Sequence, residues 1–571
     1  MKMDPQNLTF SQLLHGRLFR IPAYQRPYSW QKKQRNELFG DLLTLHEKKQ
    51  DFHFMATVVG VNRGRKILGT DEYQLVDIVD GQQRLTTLIL LLKAISLALP
   101  AGDSERQKIE SLLIKSDENT LTLLQTNHDY SGYFIDYMRY GKKPDVTEFS
   151  RAADKNIVHG ILDAEAFVAS WSKETDESLV TLLASVKNRL CCIFHALDDE
   201  RMVYTVFEIL NTRGLPVAWL DRCKAVLMGV AFDEAQNPSE MIAELHEIWC
   251  RIYERVGVRQ GLSSESLRFA ATLWSADSLS KVCSDADALE VFRDSAVGHP
   301  NNTVAISKFI EQVAGALDQL LADTQKAAVT KIAHARLLAV AIELRFSGAE
   351  QERLLVQWEH ISFRIFGLFR RDSRTGIGAY VRLARAIYGS DGQSPSYARS
   401  MQAIKALAGS DKQFTARAGA EALRNTDCYD GWEESLRYFL YARERWLDAQ
   451  SNRPVPTAQW NKIWSESASR TIEHILPQSP DGDSVWADAL RHAGIEVQDV
   501  CHRLGNLVLL PKPLNSQASN ADFSTKREIY RTTGLAITDE IAAEAQWGLE
   551  QIEARENSLI EWAAEYWGDV E

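Results

Sequence analysis

The segment Tyr73–Leu99 constrains the fold more than any other. Tyr73–Val79 (YQLVDIV) is apolar and β-branched, the composition of a strand buried on both faces. Asp80-Gly81-Gln82-Gln83 interrupts it, and Leu85–Leu99 resumes with helical apolar density in which Lys93 is the one charge. A strand and a helix that both lack a polar face must be covered on every side. The pair therefore belongs inside a layered, mixed α/β domain spanning the first hundred residues. The same apolar run is too short, and too interrupted by Lys93, to cross a bilayer.

A second strand is expected at Leu190–Leu197 (LCCIFHAL), leading through Asp198–Glu200 into a helix over Met202–Leu210. Asn211-Thr212-Arg213-Gly214 closes that helix, with Gly214 at a left-handed C′ position, and another helix should follow Pro216. From about Phe232 to Gln450 periodic Leu, Ala and Ile alternate with Arg and Glu, which reads as all-helical. Helical spacing alone places Trp358, Phe363, Phe366 and Phe369 in its core. The stretch RPVPTAQW from Arg453 marks a boundary. The expected architecture is multidomain α+β: a mixed α/β domain over 1–230, a helical connector over 231–452 and a compact last domain over 453–571.

Charge narrows the function classes. A formal balance of −12 excludes a protein that coats nucleic acid with its whole surface, so any such contact must be local. Residues 1–50 supply a local excess, +5 against −17 for the remainder. Seven cysteines without a Cys-x-x-Cys fit neither a disulfide scaffold nor a four-cysteine zinc site. MKMDPQNLTF carries no apolar signal core, and a cytoplasmic location without a membrane segment is the expectation.

The densest chemical signal lies between Thr471 and Tyr530. Ile472–Leu476 reads as a short strand stopped by Pro477, Asn506–Leu510 as a second strand, and Asp522–Tyr530 as a helix. On an extended strand Glu473 and His474 point to opposite faces, so a twist or bulge must unite them if both serve one site. Lys526 and Arg527 are positioned to contact phosphates rather than bases. SVWADALRHAG, between the two strands, reads as an extra helix. The structural alternative for each residue is a strand end, a proline stop and two turn asparagines.

The ordered set EHILPQS, GNLVLL, Asn515, Asn520, Phe523 and Lys526 resembles an HNH, or ββα-metal, nuclease, and the whole chain resembles the GmrSD/SspE class of modification-dependent restriction endonucleases. That resemblance implies that His474 is the general base, that Glu473 and Asn515 hold one divalent cation, Mg²⁺ or Mn²⁺, and that Asn506 orients the strand and the base. A neutral imidazole with a pKa of ~6.5 accepts a proton from water. A hard cation prefers carboxylate and amide oxygens.

Three motifs mark the first 225 residues: IPAYQRPYSW at Ile21–Trp30, DIVDGQQRLTTL at Asp77–Leu88, and FEILNTRG at Phe207–Gly214 with Asp221 and Lys224 one helix later. A strand running through Asp80-Gly81 into a helix brings backbone N–H groups and the positive end of a helix dipole to one point. Asp80 is suited to Mg²⁺ on a triphosphate, Gln82 or Gln83 to orienting water or base, and Arg84 with Arg213 to phosphate oxygens. The structural alternatives are a capping box at Asp80-x-x-Gln83 and a plain C-cap at Asn211–Gly214. No Walker-type P-loop occurs. Tyr24, Gln25, Arg26, Tyr28 and Trp30 interleave aromatics with a cation and an amide in the basic segment, a composition that can meet a sugar–phosphate backbone; the structural alternative places Ile21, Tyr28 and Trp30 in the core and Arg26 in an ion pair.

In the family resembled, the Asp-Gly-Gln-Gln-Arg motif belongs to a nucleotide-hydrolysing, distantly ParB-like domain, and Asn211, Arg213 and Gly214 contribute to the same pocket as Asp80, Gly81, Gln82, Gln83 and Arg84. The segment around Tyr24, Gln25 and Arg26 is tied to sensing phosphorothioate. The resemblance thus implies a defence endonuclease or nickase acting on double-stranded DNA, phosphorothioated or carrying glucosylated hydroxymethylcytosine, regulated by an NTP with GTP the first choice. A homodimer stays open. Competing readings are an NTP-binding DNA-binding regulator with a vestigial nuclease, and an RNA-cleaving toxin.

Overall fold

The computed structural model describes residues 5–570 except 23–24, 48–51, 116–119, 126–131, 145–151, 198–217, 257–260, 324–330, 391–394, 410–412 and 483. Two compact units result, Met1–Ala271 with Cys283–Asp318, and Thr272–Val282 with Gln319–Glu571. The helical middle is thereby shared between them: among the described residues every element from Pro238 to Gln450 is a helix. No described helix is long and apolar enough to cross a membrane.

The first unit is built on a six-stranded mixed sheet. Its strands are β1 (Gln6–Thr9), β2 (Arg17–Ile21), β3 (His53–Leu68), β4 (Asp71–Asp80), β5 (Leu123–Gln125) and β6 (Leu190–Leu197), in the order β1-β6-β3-β4-β2-β5. β4 runs parallel to β2 and antiparallel to β3, with Val76, Ile78 and Val79 buried at its centre. It delivers the chain to α1 (Gln82–Ala98), which is buried along almost its whole length and packs on α2 (Ala152–Thr175). β6 falls where LCCIFHAL placed it; the Met202–Leu210 helix lies outside the described residues.

The turn between β4 and α1 is steeply specified. Gly81 takes φ +88°, and a Cβ there would lie 3.1 Å from Val58 Cγ2 and 3.3 Å from the Thr57 carbonyl oxygen. Glycine is needed for its conformation and for the approach of β3. The capping-box expectation fails: Gly81 is the N-cap, Asp80 Oδ1 accepts its own neighbour's N–H from Gly81 at 2.8 Å, and Gln83 bonds elsewhere.

In the second unit β7 (Ile472–His474) and β8 (Leu507–Leu509) pair antiparallel, with Glu473 opposite Val508 and His474 opposite Leu507. Both strands are shorter than the sequence pattern suggested. The extra helix is present as α3 (Val485–Ala493), and α4 (Lys512–Ala518) and α5 (Phe523–Arg531) follow β8. This is a strand–strand–helix unit set against an aromatic core that includes Phe363, Tyr438, Phe439, Trp562 and Trp567. Trp358 and Phe363 are buried as expected, while Phe366 and Phe369 are half-buried against Tyr380 and Phe414.

The last helix, α6 (Leu549–Tyr566), clamps the loop before β8. Arg555 Nη1 donates to the Gly505 and Leu507 carbonyls, 2.8 Å each, and Arg503 pairs with the buried Glu556. A Cβ on Gly505 would stand 2.0 Å from the Ile552 carbonyl oxygen, a backbone atom that cannot step aside. Gly505→Ala is therefore expected to destabilise this unit by about 3 kcal/mol, the upper end of the usual overpacking cost, read as the shift of its denaturant midpoint.

Candidate functional site

Glu473, His474 and Asn515 line one cavity of about 530 Å³ in the second unit, together with Tyr429, Arg470, Gln478, Lys512 and Asn520. No bulge is needed to unite Glu473 and His474. β7 ends at His474, and Lys526 Nζ ties the pair from below, donating 2.7 Å bonds to Glu473 Oε1 and to the His474 carbonyl. Tyr530 OH adds 3.1 Å to the same Glu473 oxygen. Burial pushes the Glu473 carboxyl up, and Lys526 and Tyr530 pull it back.

Lys526 is thus corrected from a phosphate contact to a buried support. It is fully buried on α5, because Phe523, Lys526, Ile529 and Tyr530 share the inward face of that helix. Arg527 turns toward the Glu544 carbonyl at 3.4 Å. Exposed cations at the cavity are instead Arg470 and Lys512, each tied to Glu466, at 3.5 and 3.4 Å. The sequence pattern did not single these out, since lone cations beside a proline-rich turn carry no spacing signal.

Asn506 is buried and fully engaged. Its Oδ1 accepts from Leu476 N at 2.8 Å, and its Nδ2 donates to the Leu476 and Cys501 carbonyls at 2.9 and 2.8 Å. One amide thereby fixes the chain just after His474. Asn515 Nδ2 donates to the Arg470 and Ile472 carbonyls, 2.9 and 3.1 Å, which leaves Oδ1 as the atom it offers to the cavity. Glu473 has a second carboxylate oxygen beyond the one held by Lys526. A carboxylate and an amide oxygen are the donor set a hard divalent cation takes.

His474 is buried, and Gln478 Nε2 donates to its Nδ1 at 3.0 Å, while Nε2 is buried without a partner among the described residues. Its ring meets Tyr429 edge-on at 4.8 Å and lies 5.1 Å from His502. Burial first, then His502 and Lys526, push its pKa down to about 3 against a smaller pull from Asp427, so the ring is neutral at pH 7. Asp427, Asp430 and His502 gather donor atoms within 4.8 Å of one another, a grouping accounted for by the 3.0 Å pair between His502 and Asp427.

In the first unit the expected nucleotide residues surround the end of β4. Gly81 and Gln82 open α1, and Arg84 lies over the Trp30 ring at 5.9 Å, between Asp80 and Asp41 electrostatically. Gln83 is corrected from catalysis to structure: its Oε1 accepts from Ser29 N at 2.8 Å and its Nε2 donates to the Pro27 carbonyl at 3.1 Å. Tyr28 takes the core alternative rather than the sensing one, being buried with its hydroxyl 2.8 Å from Thr87 Oγ1. Gln25 donates to the Val79 carbonyl at 3.3 Å, and Arg26 lies 3.6 Å from Asp221. Tyr24, Asn211, Arg213 and Gly214 lie outside the described residues.

The fold adds Arg20 and Arg63, two cations that no motif had marked. Asp77, buried on β4, accepts Arg20 Nε and Nη2 at 2.6 and 2.7 Å and Arg63 Nε at 2.8 Å. Lys224 is buried beside Asp221 and Tyr253, and burial lowers its pKa to about 7.

Residues 9–228 match the model of the GmrSD restriction endonuclease N-terminal domain, and residues 415–562 that of the C-terminal domain. The chain belongs to the GmrSD restriction endonucleases. It is a DNA endonuclease of defence by that membership. No curated protein matches it.

His474 makes one pH prediction. Its folded pKa lies below the unfolded ~6.5, so the stability it contributes is full above that value and is lost as pH falls toward 3. Thermal melts at pH 7 and pH 5 should show a smaller acid loss for His474→Gln than for the parent, by up to about 2 kcal/mol.

Proposed function

We propose that this GmrSD-family chain is a metal-dependent endonuclease or nickase whose C-terminal HNH-type site is governed by an N-terminal NTPase domain that senses modified DNA. What carries the nuclease reading is the convergence of a neutral buried histidine with a carboxylate and an amide oxygen on one cavity. The metal, Mg²⁺ or Mn²⁺, would be held by Glu473 and Asn515 and would supply Lewis-acid stabilisation of the phosphate and leaving oxygen. His474 takes the proton of the attacking water at Nδ1, which requires the Gln478 amide to yield its place. Burial alone leaves His474 a weak base; the negative phosphate entering the cavity raises its basicity by Coulomb attraction. Arg470 and Lys512 hold the backbone.

For the first unit, the α1 N-terminus at Gly81, with Arg84 and Lys224, supports a triphosphate seat for GTP or another NTP. Gln25 and Arg26 from the basic segment, held against it, support a link between the nucleotide and DNA carrying phosphorothioate or glucosylated hydroxymethylcytosine. A homodimer and a cytoplasmic location complete the reading.

His474→Ala should lower cleavage of modified plasmid by on the order of 10²–10⁴, the usual cost of a lost general base, while GTP hydrolysis continues at the parental rate. Parental cleavage in the variant removes His474 from the mechanism. Asp80→Ala should lower NTP turnover, measured as released phosphate, and cleavage of DNA assayed in parallel then reads how far the nucleotide governs the nuclease site.

A further inference from the structure

Asp80 at the end of β4 and Asp221 on the helix Trp219–Glu234 come from motifs about 140 residues apart; Arg26 pairs with Asp221 and acts on Asp80 electrostatically. Arg26 Nε stands 3.6 Å from Asp221 Oδ2, and Asp221 Oδ1 accepts from Tyr253 OH at 2.6 Å. Burial pushes the Asp80 carboxyl up; the Gly81 N–H, Arg26 and Arg84 pull it down, and Asp221 pushes it up again. Each carboxylate therefore feels the other and the same arginine. Gln82, in the first turn of α1 two residues after Asp80, carries a further oxygen. Gln82, 6% exposed, keeps its Oε1 buried with no hydrogen-bond donor among the described residues, although its Nε2 reaches Gln25 Oε1 at 3.4 Å. A buried amide oxygen without a donor, two residues from a carboxylate, is an acceptor lacking its electrophile.

We infer that Asp80, Asp221 and Gln82 Oε1 are the protein ligands of the divalent cation that accompanies the nucleotide, with Arg26 holding that charge position until the cation arrives. The inference rests on the nucleotide reading of this unit. Hard oxygens and two negative charges suit Mg²⁺ or Mn²⁺, and the α1 N-terminus beside them leaves the remaining positions to phosphate and water. Lys224, which also faces Asp221, remains as a cation toward the phosphates. Arg26 belongs to the basic segment Ile21–Trp30, so loading metal and nucleotide releases a guanidinium toward DNA phosphate. Such coupling is reciprocal: DNA that engages Arg26 should raise the affinity for metal–nucleotide.

The test uses the full chain carrying Glu473→Gln, so that the nuclease cavity offers no carboxylate. Mn²⁺ is titrated with and without GTP, and free Mn²⁺ is read by electron paramagnetic resonance. The parent should bind one Mn²⁺ per chain that GTP tightens. Asp221→Asn, which keeps an acceptor for Tyr253, should weaken that binding by about tenfold or more, as loss of a charged ligand does, with an unchanged melting temperature. Arg26→Gln should strengthen Mn²⁺ binding without GTP, because a competing cation is gone. If Asp80→Asn weakens binding and Asp221→Asn does not, the assignment of Asp221 is overturned while the nucleotide reading stands. If neither GTP nor Asp80→Asn affects Mn²⁺, both fall. Should Asp221→Asn melt early, the Arg26→Gln arm decides, and an unraised Mn²⁺ affinity there overturns the inference.

Discussion

The cavity at the end of β7 depends on one buried ion pair. Lys526 and Glu473 meet at 2.7 Å with both side chains out of water. Desolvating two charges is expensive, and such a pair adds little net stability over apolar residues of equal volume. Its value here is positional. Lys526 spends a second hydrogen bond on the His474 carbonyl, so a single ammonium fixes both residues that end β7. With Tyr530 on the same Glu473 oxygen, the carboxylate is left one oxygen for the cavity and no freedom to turn. Removing the lysine would strand a buried charge, whereas removing the glutamate would leave Lys526 without its partner; neither half is replaceable alone.

What the sequence made legible follows from which interactions are local. Strand β4, the break at Gly81 and helix α1 are written in periodicity and in one glycine, and they formed as read. The strand–strand–helix order was legible too. Lys526 was misread since a lysine on an amphipathic helix ordinarily faces solvent; its burial is decided by Glu473, 53 residues away. Tyr28 is open between a sensing surface and the core on sequence, and the choice is made by Thr87, which claims its hydroxyl at a separation of 59. Arg20 and Arg63 escaped notice entirely, because only the register of β2 and β3 against β4 brings them to Asp77.

Gln83 illustrates how one motif divides its labour. Its amide stitches the Pro27–Ser29 backbone to the first turn of α1, while its neighbour Gln82 keeps an oxygen unspent. Two adjacent identical residues thus have opposite fates on a helix, where successive side chains diverge by about 100°. The first anchors the basic segment; the second is available to a ligand. Position on the helix, rather than residue type, makes the distinction.

A chain of net charge −12 can engage a polyanion only through local cations, and five of the cations at the two sites are paired with carboxylates. Arg470 and Lys512 share Glu466, Arg26 faces Asp221, and Arg20 with Arg63 hold Asp77. Pairing holds each long side chain in place and lowers the field that an arbitrary nucleic acid would feel at a distance. A phosphate must then displace a carboxylate, or a metal must first neutralise it, before the cation is free to bind. Such an exchange costs little for a ligand that supplies several charges at fixed spacing and much for an isolated anion, so discrimination arises from the carboxylates that oppose binding as well as from the cations that favour it. For a DNA endonuclease of defence, a weak resting attraction for backbone phosphate is itself a functional property.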